Sequence, residues 1–139
     1  MKKLFTLSLL FMATLATAQG PATTDLNWEP KLKFEETTYD FGPVSEGFDA
    51  KHQFKFTNNE KFPVTITNAV AGCSCTVPSY PKQAIAPGKS AEILVKYDTN
   101  GKSGSFNKDV TLTIKDNTGR NTGSKKLYIT GSVNAKNLK

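Results

Sequence analysis

Past Met12 the sequence contains no methionine, and over its whole length it has one histidine, His52, one tryptophan, Trp28, and two cysteines, Cys73 and Cys75. Each scarcity narrows the chemistry. A copper site loses its thioether ligands, and a four-ligand zinc set would need both cysteines, His52 and an acid or water. Nucleophilic catalysis at Cys73 or Cys75 has a single imidazole to serve as base, and no spacing places it beside either thiol. There is no phosphate-cradling glycine loop and no paired-histidine helix. Asp40-Phe41-Gly42 reproduces the metal-binding triplet of protein kinases, but the chain of 139 residues is far too short and lacks the glycine-rich and catalytic loops that give that triplet its role. These absences point to a protein that is not an enzyme.

Long apolar runs are equally rare. The one that stands out, Leu4 to Leu15, follows Lys2 and Lys3 and precedes Ala16-Thr17-Ala18, the layout of a cleavable secretory signal over residues 1–18. It falls short of the roughly 18 to 20 apolar residues needed to span hydrocarbon. Gln19 follows the expected cut, where a lipid-anchored bacterial protein would carry cysteine. An exported product is expected, periplasmic or extracellular, with neither a lipid anchor nor a membrane span. Removing 18 residues leaves 121, enough for one domain burying about two-thirds of the surface of its unfolded chain.

Charge of one sign is also scarce. The formal +6 falls to about +4 without Lys2 and Lys3, and the remaining lysines, from Lys31 to Lys139, are interspersed with acids and hydroxyls. Nucleic-acid surfaces cluster their basic residues or interleave them with exposed aromatics, so a solubilising face is the better reading.

Gln19 to Pro30 is small, polar and flanked by prolines, which suits a mobile leader; Trp28 within it caps the first strand or the domain edge, or anchors a partner. From Lys31 to Asn134 short extended segments rich in Phe, Val, Ile, Thr and Tyr alternate with Gly, Pro, Asn and Asp clusters, and no stretch has helical period. Leu32 and Phe34 open the series, and Tyr39 to Pro43 reads as a strand ending in a turn. His52, Phe54 and Phe56 share one face of Lys51 to Thr57. Asn58-Asn59-Glu60-Lys61 has hairpin composition, which makes Lys51 to Thr57 and Val64 to Val70 adjacent and antiparallel. In the second of these, Val64, Ile66 and Val70 oppose Thr65, Thr67 and Ala69. Ile93, Val95 and Tyr97 line another strand after the Ala86-Pro87-Gly88-Lys89 turn. Val110, Leu112 and Ile114, then Leu127, Ile129 and Val133, complete the pattern, with Tyr128 outward or in a second layer and a polar tail at 135–139. About seven antiparallel strands bury their apolar faces best as two packed sheets, an immunoglobulin-like β-sandwich.

Cys73 and Cys75 are one residue apart, so they cannot form the inter-sheet bridge of antibody domains. In extended backbone their side chains share one side, with α-carbons about 6.5 to 7 Å apart. Closing a disulfide there requires bending, for which Gly72 offers freedom. Such a bridge restrains the unfolded chain by only about 1.6 kcal/mol. Three readings stay open: a local disulfide that shapes the loop, a redox-active or soft-metal pair taking copper or zinc, and intermolecular linkage. His52, on the apolar face beside Phe54, reads as a partly buried strand-end imidazole with a backbone partner rather than as a ligand.

Gly72-Cys73-Ser74-Cys75-Thr76-Val77-Pro78, with Pro81, Ile85 to Ser90 and Gly101 to Lys108, resembles the bacterial domain of unknown function 1573 family. Phe41-Gly42, Val44, Gly47, Phe54 to Asn58 and Pro63 to Ile66 fit the same pattern, and the resemblance covers roughly Phe34 to Val133. It implies exported bacterial proteins, a sandwich akin to the domains of major sperm protein and hydin, and no settled biochemistry. The family often has glycine between its cysteines where this chain has Ser74. The expected role is a non-enzymatic module of the cell envelope that meets a protein or a glycan; the alternative is a thiol-based redox or copper-binding module.

Overall fold

The structure, a computed structural model, describes residues 24–135. The expected signal at 1–18, the first part of the leader and the end of the polar tail lie outside the described residues. Among the described residues there are eight strands and no helix: β1 (Leu32–Phe34), β2 (Thr38–Ser45), β3 (Asp49–Asn58), β4 (Val64–Ala71), β5 (Thr76–Ser79), β6 (Ser90–Asp98), β7 (Gly104–Asp116) and β8 (Thr122–Asn134). They form two four-stranded sheets, ordered β1-β3-β6-β5 and β2-β8-β7-β4. This is the immunoglobulin-like sandwich that the alternation predicts. Among the described residues no helix is long and apolar enough to cross a membrane.

Period-two patterning decides the core. Phe54 and Phe56 of β3 and Ile93, Val95 and Tyr97 of β6 face, from the other sheet, Leu112 and Ile114 of β7 and Leu127 and Ile129 of β8, all of them buried. Two apolar inner faces each supplied by every second residue remove water only when stacked, at about 25 cal/mol per Å² of apolar surface buried.

The structure corrects three local expectations. First, β3 and β4 are not a hairpin: β3 pairs with β6 and β1, β4 with β7, and the intervening turn carries the chain from one sheet to the other. Asn58 fixes that crossing. It is fully buried; its Nδ2 donates to the carbonyls of Phe62 and Ile85 at 3.0 and 2.9 Å, and its Oδ1 accepts from the Glu60 amide.

Second, β4 has a bulge. Ile66 pairs with Ile114 and Asn68 with Thr113, so Thr67 is an extra residue. One inserted residue reverses which side chains face inward. Val70, expected in the core, is therefore 54% exposed, while Ala69 packs against the core.

Third, β2 does not stop at Gly42-Pro43. It bulges there, with Gly42 at φ +65° and its amide donating to Asp40 Oδ1, and then continues to Ser45. Its partner β8 runs parallel to it, so one of the pairings is not antiparallel.

The described part of the leader also lies against the domain. Asp25 bridges to Asn121, its carbonyl accepts from the Thr122 amide at 2.9 Å, and Trp28 lies 5.9 Å from the Phe62 ring at the domain edge. Gly123 permits this, because a β-carbon there would stand 2.2 Å from the Trp28 carbonyl oxygen and 2.5 Å from Pro30 Cδ.

The β7–β8 turn supplies a pH dependence. Burial pushes the Asp116 carboxyl up, but hydrogen bonds from the Thr118 hydroxyl and from the Asn121, Gly119 and Thr118 region outweigh it and leave it below its ordinary 3.8. Thr118 Oγ1 stands 2.9 Å from both carboxylate oxygens and Asn121 Nδ2 donates at 2.9 Å. A carboxyl depressed by folding contributes stability above its unfolded pKa, and that contribution disappears as pH falls through the folded value. Asp116→Asn should therefore be less stable than the parent at pH 7, and urea titrations should show the gap narrowing as pH falls below 3.8. A gap of constant size down to pH 2 contradicts this assignment.

Candidate functional site

Only four residues, 72–75, separate β4 in one sheet from β5 in the other. Both ends of this crossing are tied down. The Gly72 amide donates to the Asp109 carbonyl on β7 at 3.1 Å, and the Asp98 amide on β6 donates to the Cys75 carbonyl at 2.8 Å. Between them the chain turns tightly, with the Thr76 amide donating to the Cys73 carbonyl at 3.3 Å. That turn brings the α-carbons of Cys73 and Cys75 to 5.3 Å, well inside the 6.5 to 7 Å spacing of extended backbone, and the two sulfurs are joined as a disulfide.

The bend uses no left-handed residue. Neither Gly72 nor Ser74 has positive φ, so the serine in place of glycine is no obstacle. Gly72 serves a different purpose from the one its freedom suggests: a β-carbon there would lie 3.0 Å from Asp109 Oδ1, so its small size lets the crossing approach β7.

Beside the disulfide is a surface recess of about 420 Å³. Phe48, Asp49, Cys75, Val77, Lys96 and Asp98 line much of it. Phe48 is 49% exposed and Val77 58% exposed, although both are large and apolar. The β2–β3 turn positions Phe48: Gly47 takes φ +83°, the Phe48 amide donates to the Ser45 carbonyl, and the buried Thr99 hydroxyl donates to the Phe48 carbonyl at 2.9 Å. Val77 is held by the pairing of β5 with β6, opposite Lys96.

Charge of both signs rims the recess: Asp49, Asp98 and Lys96 line it, and Lys51 is ion-paired to Asp49. Hydrogen bonds from the Asn100 amide and side chain hold Asp98 below the usual carboxylate range. The ion pair with Lys51 does the same for Asp49, against a smaller opposing effect of burial, and Lys96 adds to it. Burial, and then the neighbouring Asp98 charge, push the Tyr97 hydroxyl up.

His52 is not part of this site. It sits on β3 opposite Val95, with Nε2 2.8 Å from Glu36 Oε1 and its ring stacked on Tyr39 at 3.6 Å. Its partners are a carboxylate and two aromatic rings rather than the backbone carbonyl expected, because mid-strand backbone groups are already paired within the sheet. Among the described residues no group of three His, Cys, Asp or Glu side chains is placed to hold a metal ion. As a disulfide, Cys73 and Cys75 present no thiolate to a soft ion.

Of the site, sequence reasoning identifies the cysteines and misses Phe48, Val77, Asp49, Lys96 and Asp98. Phe48 did leave a signal: an aromatic residue directly after a turn glycine, ahead of the segment Lys51 to Thr57 whose alternation assigns Phe54 and Phe56 inward.

Known structures share the fold at low identity. The ASH / PapD-like domain 7 of human CEP192 aligns at TM-score 0.64 and 8% identity, covering 96% of this chain and 99% of that one. The VesB protease of Vibrio cholerae aligns at TM-score 0.61 and 17% identity over 73% of this chain, which spans 31% of the VesB chain. The E. coli chaperone DraB aligns at TM-score 0.54 and 9% identity, covering 79% of this chain and 57% of that one. At such identities the likeness establishes the sandwich and nothing about activity. No curated protein matches the chain. One family does, described as protein of unknown function (DUF1573), over residues 32–133, nearly the whole sandwich including the cysteine crossing, and this chain belongs to that family.

Proposed function

We propose that this protein is an exported, non-enzymatic interaction module whose binding surface is the recess between Phe48 and Val77. One observation carries the reading: two large apolar side chains, each about half exposed, flank a recess whose backbone is pinned from both sheets. Scattered apolar residues on a surface are ordinary, but an apolar pair set over a rigid recess and rimmed by charge is the arrangement of an interface centre. A partner meeting this surface would offer an apolar side chain to Phe48 and Val77, with a basic group for Asp98, since Asp49 is already paired with Lys51. A protein segment fits that description better than a glycan does. The chaperone likeness and the PapD-like likeness agree with a role in protein contact, and the signal-like residues 1–18 support export to the envelope.

The test compares the parent with a Phe48→Asp, Val77→Asp double variant, each immobilised and exposed to envelope extract at physiological salt. The parent should retain a specific protein, and the variant should bind it at least about tenfold more weakly, a typical loss for apolar anchors. Equal retention by both, with circular dichroism confirming that the variant is folded, removes Phe48 and Val77 from the interface.

A further inference from the structure

We propose that the Cys73–Cys75 disulfide is a thiol-exchange site with a fixed polarity: an incoming thiol is captured on Cys75 and Cys73 is the leaving sulfur. The substrate class is a thiol-bearing peptide, and its choice of peptide rests on the recess being the binding surface; the exchange chemistry itself does not.

Three observations set the polarity. The recess is lined by Cys75 and Ser74 but not by Cys73, so a molecule seated there meets Cys75 before Cys73, although Cys75 also packs partly against the core. Cys73, which is not part of that lining, has its Sγ 3.5 Å from Thr76 Oγ1. Thr76 is buried at 3% exposure, and this sulfur is the partner of its hydroxyl. A disulfide sulfur accepts hydrogen bonds poorly and a thiolate accepts them well. The buried hydroxyl therefore stabilises the state in which Cys73 carries the negative charge more than it stabilises the bond itself. Exchange runs fastest when the leaving thiol is the better-stabilised thiolate.

The step balances without an external oxidant. A substrate thiolate attacks Cys75 Sγ along the S–S axis; a new S–S bond forms between substrate and Cys75, and the Cys73–Cys75 bond breaks. Its electron pair leaves on Cys73 Sγ, which accepts the Thr76 O–H hydrogen bond. The reverse attack of Cys73 on Cys75 expels the substrate thiolate and restores the original disulfide. Both sulfurs stay together throughout, because the crossing is fastened at Asp109 and Asp98. The short loop fits this role: so small a ring adds little to stability, so its presence calls for a chemical reason.

The experiment treats the native, oxidised protein with β-mercaptoethanol, a neutral thiol that Asp49 and Asp98 do not repel, and quenches with iodoacetamide. Peptide mass mapping then reports which cysteine carries the mercaptoethanol adduct and which the carbamidomethyl group. The expected result is an adduct on Cys75 and alkylation on Cys73, in preference to the reverse by about fivefold, the effect of one hydrogen bond. Thr76→Val should remove the preference and slow exchange by a similar factor, and Thr76→Ser, which keeps the hydroxyl, should restore both. An adduct mainly on Cys73, equal adducts, or no reaction in the parent overturns the proposal even if Thr76→Val fails to fold. Because mercaptoethanol needs no peptide-binding surface, its exchange succeeding while the immobilised protein retains no partner would count against the interaction surface alone. Exchange failing while a partner is retained would count against the thiol chemistry alone.

Discussion

Asn58→Ala should lower folding stability by about 3 to 4 kcal/mol and the melting temperature by roughly 15 °C. The substitution removes both donors from the carbonyls of Phe62 and Ile85 and the acceptor from the Glu60 amide, all at one fully buried position. Leaving a buried polar group without its partner costs about 1 to 3 kcal/mol, and the vacated side-chain volume adds to it. Backbone bonds meet at the same residue: its amide donates to the Lys89 carbonyl and its carbonyl accepts from the Gly88 amide. The side chain thus ties the β3–β4 crossing to the turn before β6. Asn58→Asp is the informative companion, because it keeps the acceptor for Glu60 and loses both donors while burying a charge; it should be no more stable than the alanine variant. Urea denaturation of the two variants checks this, and a loss under about 1 kcal/mol for alanine would show that the crossing holds without its amide.

Gly123→Ala should release the segment Asp25 to Pro30 and cost about 2 to 3 kcal/mol. The added methyl would occupy space now held by the Trp28 carbonyl oxygen at 2.2 Å and by Pro30 Cδ at 2.5 Å. Neither is the free end of a flexible side chain, so the strand and the segment must separate. Trp28 is the sole tryptophan, which gives the effect its own reporter. Its emission should shift to longer wavelength as it leaves Phe62, with the far-ultraviolet spectrum still that of a β protein. Unchanged emission in a folded variant would mean that the segment does not depend on the bare backbone at Gly123.

Much of the sandwich was legible because alternation reports burial directly. Phe54, Phe56, Ile93, Val95, Leu112 and Ile129 all occupy the core positions that their period assigns. What the sequence concealed has physical causes. The bulge at Thr67 adds a residue without any mark in composition, so every position beyond it was assigned to the wrong face. The strand Thr76–Ser79 is short and contains Pro78, which is tolerated at the edge where it lies but reads as loop in a linear scan. The turn after β3 has hairpin composition, yet composition cannot say whether a turn rejoins its own sheet or crosses to the other; a buried asparagine bonded to Ile85, far along the chain, decided that. The site was half visible for a related reason. Cys73 and Cys75 are conspicuous in any sequence, whereas Phe48, Val77 and Asp98 come from three separate strands or turns and become neighbours only once the sheets have formed.

The parallel partnership of β2 with β8 governs when this protein can finish assembling. Thr38 lies opposite Tyr128, and β2, at the border of its sheet, pairs with no other strand among the described residues. A chain whose strand Thr122–Asn134 is not yet in place therefore holds two unpaired edges, one at Thr38–Ser45 and one on the side of Gly104–Asp116 away from β4, and closing the long intervening span is slow. Assembly of this sheet waits until the strand Thr122–Asn134 is free to pair. Until then, those unpaired borders are what a chaperone or an aggregating neighbour would encounter.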